Sequence, residues 1–315
     1  MESNNVVTLL VIMAFFATLS ISKHHVVAIG GTPMTNYIAT SNKVNNQVIS
    51  QDISETQYLL AYKQIRIDEE LQKQTQLDAL EKSIRTFVGD NINKFAMVYY
   101  DINSKKSIEI NESKQFSAAS TIKTPINMLM YDMIQDKKIN INEKLKYDKD
   151  DFEEGAGILQ GIDLSKSIAI KSLSDYSIIY SDNIAINMLL RRVGNENRYN
   201  YIEKIVGHPV IHKGNNITPK DSFKILERLY SNPENNKYYN GMIKTMENTK
   251  YHDRIDKYIP KEIVAHKIGD YAECVNDTAI VFKDNPYILV VFTDGISDAN
   301  EVIGQVSKII YDAQK

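Results

Sequence analysis

Apolar positions divide the chain into stretches of different period. Val6 to Ile21 is a mostly apolar run of sixteen residues without a charge, between the roughly 7–15 residues of a signal-peptide core and the ~20 of a spanning helix. Glu2 and no basic residue precedes it, and Lys23, His24 and His25 follow. A cleaved signal begins with basic residues, so the run reads as an uncleaved anchor ahead of a cleaved signal, and ahead of a buried core helix. Gly30 to Asp52 is rich in Asn, Ser, Thr and Gln with weak periodicity, which reads as a linker. From Glu55 to Val88, Leu59, Leu60, Ile67, Leu71, Leu77, Leu80 and Ile84 recur at roughly helical spacing. The first half of that stretch, to Gln76, is charged and glutamine-rich and reads as a stalk helix. Its stripe is too short for sustained heptads. The pattern therefore predicts a signal peptide or membrane anchor over residues 1–25, a polar linker and stalk helix over 26–75, and one folded domain over 76–315.

Within that domain, Phe95–Tyr100 and Ser107–Ile110 flank a turn at Asn103-Ser104 and predict a strand pair. Thr121–Ile134 predicts a helix with Pro125 in its first turn, and Leu173–Val193 a mostly helical stretch. Pro219–Tyr230 predicts a helix capped by Thr218. Val264–Gly269, Thr278–Phe282 and Tyr287–Thr293 read as three consecutive strands, and Ala299–Ala313 as a closing helix. Strands at both ends with helices between them predict one antiparallel sheet, its amino-terminal strands beside its carboxy-terminal ones.

Composition narrows the function classes. At 315 residues and 43% apolar, the chain can bury a large core. Its net charge of −3 lacks the basic excess of a nucleic-acid binder. The one cysteine, Cys274, excludes a disulfide framework and any CxxC metal site. His208, His212, His252 and His266 show no HExxH or comparable spacing. His266 reads as an exposed strand residue beside Lys267. No metal or organic cofactor is implied.

Three short motifs carry candidate chemistry. In Ser120-Thr121-Ile122-Lys123, a lysine one turn after a serine can act on its hydroxyl, and a helix start offers N–H groups to negative charge. In Ser181-Asp182-Asn183, a second hydroxyl can relay a proton and an amide can hold a substrate amide. In Lys267-Ile268-Gly269, on a candidate edge strand, a cation can hold a carboxylate and a glycine admits close backbone approach. Each alone is weak: a surface lysine, a helix cap or a turn explains it equally well.

Together, and in this order, the three resemble the SxxK, SDN and KTG elements of the penicillin-recognising serine hydrolases, particularly the class A β-lactamases. The surroundings are similar too: Phe116-Ser117-Ala118-Ala119 before the serine, Asn276-Asp277-Thr278-Ala279 after the lysine strand, Asn183–Leu190 and Thr218-Pro219. Gly155–Gln160 is similar to a segment of a β-lactamase-related branch. The resemblance spans Leu77 to the end and implies an α/β (α+β) fold: an antiparallel five-stranded sheet flanked by helices, plus an all-helical subdomain. It implies Ser120 as nucleophile, Lys123 as general base and Ser181 as proton relay. Asn183, Lys267, Gly269 and Asp270 would bind substrate, with the N–H groups of Ser120 and Asp270 as oxyanion hole. The implied partner is a small β-lactam or a cell-wall peptide, reached outside the cytoplasm by an anchored chain, or a secreted one if the amino-terminal segment is cleaved.

The chain also departs from that family. The glutamate that activates the deacylating water has no counterpart in context between Asn183 and Pro219, where Glu196 and Glu203 fall in continuing helix. Ile268 replaces a hydroxyl residue, Val275 stands near the place of an arginine, and Asp270 adds a negative charge. Water activation would then fall to Lys123 or Glu154. Three readings follow: a β-lactamase, a penicillin-binding D,D-peptidase or slow acyl-enzyme trap, and a non-catalytic binder of cell-wall peptide.

Overall fold

The computed structural model describes residues 55–314, so the anchor expected over 1–25 and most of the expected linker lie outside the described residues. The chain divides into two compact units, residues 1–62 and 63–315. Of the first, only the opening of helix α1 (Glu55–Val88) is described. Among the described residues no helix is long and apolar enough to cross a membrane. Along α1, Ile67 and Leu71 are exposed, whereas Leu77, Leu80, Ile84 and Val88 are buried. The helical period continues throughout, but only its last part packs on the sheet.

Strands β1 (Phe95–Asp101), β2 (Lys106–Ile110), β7 (Val264–Tyr271), β8 (Cys274–Val281) and β9 (Tyr287–Asp294) form one sheet in the order β2-β1-β9-β8-β7, and the two-residue strands β3 (Phe116–Ser117), β4 (Lys144–Leu145), β5 (Ile168–Ala169) and β6 (Asn216–Ile217) pair separately as β3-β6 and β4-β5. Every neighbouring pair is antiparallel, as the sequence predicts. Strand β8 begins four residues earlier than its expected start at Thr278, because the polar Asn276 and Asp277 are buried within it. Strand β1 reads as a solid apolar run because both of its faces are covered. Ala96 and Val98 enter one core, and Phe95, Met97 and Tyr99 the other. The second core is closed by α1 and by α8 (Ala299–Ala313).

The first core is built against a helical layer: α2 (Lys123–Gln135), α3 (Ile170–Ile179), α4 (Asn183–Val193), α5 (Asn195–Val206), α6 (Pro219–Ser231) and α7 (Tyr239–Glu247). Helix α6 starts as expected, with Pro219 in its first turn and the Thr218 side chain accepting from Asp221 N–H. The mostly helical stretch expected over Leu173–Val193 is two helices. They are broken at Tyr180-Ser181-Asp182, where Ser181 adopts a left-handed φ of +53° and Asp182 caps α4. That break carries one of the three motifs.

Candidate active site

Ser120 lies on a single 3-10 turn, Ala119–Ile122, that leads directly into α2. The helix proper begins at Lys123, two residues after the sequence expectation. Ala119 is left-handed at φ +48°, a conformation that costs a non-glycine residue of order 1–3 kcal/mol and persists only where surroundings hold it. They do so here. Thr121 Oγ1 donates to Ala118 O at 2.8 Å, and Asn276 Nδ2, from β8, donates to Ser117 O at 2.8 Å. Edge strand β7 presses on the same turn: a methyl added at Gly269 would stand 2.6 Å from Ala118 O and 3.0 Å from Ser120 N. Glycine is required at this position by close approach. Gly269→Ala must push β7 off the turn, and overpacking of this kind costs about 1–3 kcal/mol. We expect a folded variant with a lower Tm and at least about tenfold slower acylation, since misplacement by an ångström can cost 10²-fold; thermal melting and stopped-time labelling measure both.

Lys123 is buried in the first turn of α2. Its Nζ donates to Ser181 O, to Ser181 Oγ at 3.3 Å and to Asn183 Oδ1 at 2.8 Å. Three N–H groups thus meet three acceptors, and Ser120 is not among them. Burial pushes the amine down to about 8, against the opposing charges of Glu153 and Asp182. Lys267 is fully enclosed, and its Nζ donates to Ser181 Oγ at 3.0 Å and Ile268 O at 2.9 Å. Burial first, then the charge of Lys123, holds this amine well below its ordinary value. The Ser181 hydroxyl therefore stands between two lysine amines, and the charge of Lys123 disfavours the proton on Lys267.

The Ser181 turn is held by its neighbours in sequence. Asp182 Oδ1 accepts from Ala185 N–H at 2.8 Å. Its Oδ2 accepts from the N–H groups of Ile158 and Leu159 at 2.7 and 2.8 Å. Gly157 sits so close that an added methyl would lie 2.3 Å from that oxygen. Asn183 Nδ2 donates to Glu154 O at 3.3 Å. The Gly155–Gln160 segment is thereby docked against the motif it accompanies.

Three features escape the sequence reading. Glu153, rather than Glu154, joins Asp182 in placing its charge on Lys123; its Oε2 accepts from Asn187 Nδ2 at 2.9 Å. Arg254, buried behind β7, donates to Gly269 O at 3.2 Å and Asn276 O at 2.8 Å, and pairs with Asp270. The negative charge of Asp270 is thus already answered, with Val275 opposite it on β8. His266, expected to be exposed, is buried between Asp256 and Asp277, with its Nε2 3.4 Å from Asp256 and Nδ1 3.0 Å from Asp277. Burial alone would lower it, but the two carboxylates outweigh burial and push it up to about 10. Its strand is covered on the side away from Lys267, so alternation does not bring it to solvent. Tyr271 is exposed at the end of β7, and Cys274 is buried.

The acids between Asn183 and Pro219 are engaged elsewhere. Glu196 and Glu203 lie on α5, a helix separate from α4. Both contact the ring of His212, at 3.2 and 2.9 Å, and Glu203 also accepts from Val210 N–H.

Comparison with known proteins bears on the family and the fold. The model of the β-lactamase enzyme family matches residues 79–314. The chain is 25% identical over 228 residues to β-lactamase BRO-1 of Moraxella catarrhalis, covering 63% of this chain and 73% of that one. It is 24% identical over 270 residues to β-lactamase VEB-1 of Pseudomonas aeruginosa, covering 75% and 90%. Among solved structures, PBP-A superposes with a TM-score of 0.69 at 22% identity, over 75% of this chain and 95% of that one. A β-lactamase of Sphaerobacter thermophilus superposes at 0.67 and 19% identity, over 73% and 95%. These structural likenesses carry the fold, a helical layer on a five-stranded antiparallel sheet, and the match over residues 79–314 carries the membership: this chain belongs to the β-lactamase enzyme family.

Proposed function

We propose that the chain is a serine hydrolase that β-lactams acylate at Ser120 and that releases the acyl group slowly. The observation that carries the reading is the Ser181 hydroxyl bridging Lys123 and Lys267 beside the Ser120 turn. In its neutral form Lys123 takes the proton from Ser120 Oγ as that oxygen bonds to the lactam carbonyl carbon. The N–H groups of Ser120 and Asp270 receive the oxyanion. The carbon–nitrogen bond then breaks, and Ser181 gives its proton to the leaving nitrogen and recovers one from Lys123. Asn183 holds the substrate amide and Lys267 supplies positive potential for its carboxylate. Both relatives named above are called β-lactamases, and a variant of PBP-A has been captured as an acyl-enzyme with penicillin G.

Slow release is favoured by the engagement of Glu196 and Glu203 with His212. It fits a penicillin-binding peptidase as well as a sluggish β-lactamase. Acylating the chain with penicillin, removing free drug and following the adduct by mass tests it. The expected result is an adduct that outlasts the acylation phase; release faster than acylation overturns slow turnover while leaving the nucleophile in place. The apolar run Val6–Ile21 supports a location outside the cytoplasm, and protease access to the domain in intact cells measures it.

Asp270 tunes substrate choice through Arg254. With Asp270→Ser, the Arg254 guanidinium loses its near carboxylate partner, keeping only Asp253 at 3.9 Å, and can attract the carboxylate of a penicillin. An exposed charge is worth up to about 1 kcal/mol, so acylation by a free-acid penicillin should rise about fivefold, and that by its methyl ester should not change. Equal changes for acid and ester would contradict the assignment.

A further inference from the structure

On the far face of β7 from Lys267, the fold assembles ionisable side chains that the acyl-transfer chemistry does not use. His252 and Asp256 lie four residues apart in the segment between α7 and β7, and His266 lies on β7. One donor atom from each falls within 4.8 Å of the others. Asp256 and His266 are 1% exposed and His252 is 38% exposed, so the cluster opens to solvent through His252 alone. Two of its buried atoms, His266 Nε2 and Asp256 Oδ1, have no hydrogen-bond partner. Leaving such atoms unpaired in a dry interior is unfavourable, and a bound ligand would relieve it.

The surroundings orient this cluster for a cation. Asp277 accepts from Ile255 N–H at 3.1 Å and lies 3.0 Å from His266 Nδ1. A ring that donates Nδ1–H to a carboxylate presents a lone pair at Nε2, as in carboxylate–histidine–metal triads. That Nε2 is 3.4 Å from Asp256 Oδ2. Ligand atoms around a tetrahedral zinc ion, with bonds of ~2.0–2.1 Å, lie about 3.3 Å apart. His252 Nδ1, 2.5 Å from the same oxygen, must retreat by less than about 1 Å to join them. Its ring borders solvent and can move that far. A divalent ion between two neutral imidazoles would also balance both buried carboxylates, Asp256 and Asp277, whereas one imidazolium balances only one.

We propose that His252, Asp256 and His266 bind a divalent transition-metal ion, with Asp277 orienting His266 and water completing the shell. Two nitrogens and one carboxylate oxygen select zinc, cobalt, nickel or copper over magnesium or calcium. Bound there, the ion fastens the segment carrying Arg254 to the strand carrying Lys267 and Gly269.

Titration of the chelator-treated full chain with zinc chloride, read by calorimetry, native mass and thermal melting, tests the site. The expected result is one zinc per chain with a raised Tm, lost in His252→Ala and retained in His212→Ala. Asp256→Asn, which keeps the side chain's shape, should weaken binding at least tenfold. Cobalt(II) on the unmodified chain should give the intense visible absorption of a tetrahedral site, a readout that needs no variant. Absence of zinc binding, or equal binding by the parent chain and His252→Ala, overturns the proposal and leaves His266 as a protonated ion-pair partner of its two aspartates.

Discussion

Ser120→Ala abolishes covalent labelling by penicillin and leaves the fold intact. Ser120 is partly exposed at the mouth of α2, and its turn is held by Thr121, Asn276 and the packing of Gly269, not by its own hydroxyl. Removing that oxygen therefore deletes the proposed nucleophile with a stability change within about 0.5 kcal/mol, as is usual for a substitution outside the core. The loss of labelling should be complete, because no other group can substitute for the oxygen that forms the ester. Intact mass after incubation with penicillin reads the labelling, and thermal melting reads the fold. Persistent labelling of the alanine variant would move the nucleophile elsewhere.

Lys123→Met slows acylation by about 10²–10⁴-fold, the range that a positioned general base contributes. The variant also separates base from scaffold by its pH dependence. Burial lowers the Lys123 amine to about 8, and only the neutral amine can accept the serine proton. In the parent chain, acylation should rise about tenfold per pH unit below that value and level off above it. In Lys123→Met that inflection should vanish. A lysine that only holds Ser181 and Asn183 in place would lower the rate and keep the inflection. Ser181 O and Asn183 Oδ1 each lose a donor in this variant, so circular dichroism must accompany the rates.

Much of the fold was legible because local rules and tertiary packing agree. The proline and threonine at the start of α6, the period of α8 and the apolar runs of β1 and β9 each state their structure directly. The three motifs also announced their own convergence: Lys123, Ser181, Asn183 and Lys267 are joined by hydrogen bonds. Elsewhere tertiary contacts override the pattern. Ser181 interrupts a stretch whose apolar period reads as mostly helical, because the fold holds its backbone left-handed where its hydroxyl meets two amines. His266 looks like any polar strand residue, and its burial depends on a carboxylate ten residues upstream and another on the neighbouring strand. Arg254 carries no motif at all; its role comes from the strand edge it crosses. Glu153 differs from Glu154 only in which way the backbone turns them, and no sequence pattern distinguishes that.

In the proposed function this chain forms an acyl-enzyme through Ser120. The most direct measurement is intact mass of the full-length chain, acid-quenched seconds to minutes after mixing with penicillin, with the modified peptide sequenced. Ring opening by a nucleophile loses no atoms, so the expected result is a gain equal to one whole penicillin on the peptide containing Ser120. An unmodified chain with the penicillin left intact, or an adduct on any other residue, would contradict it.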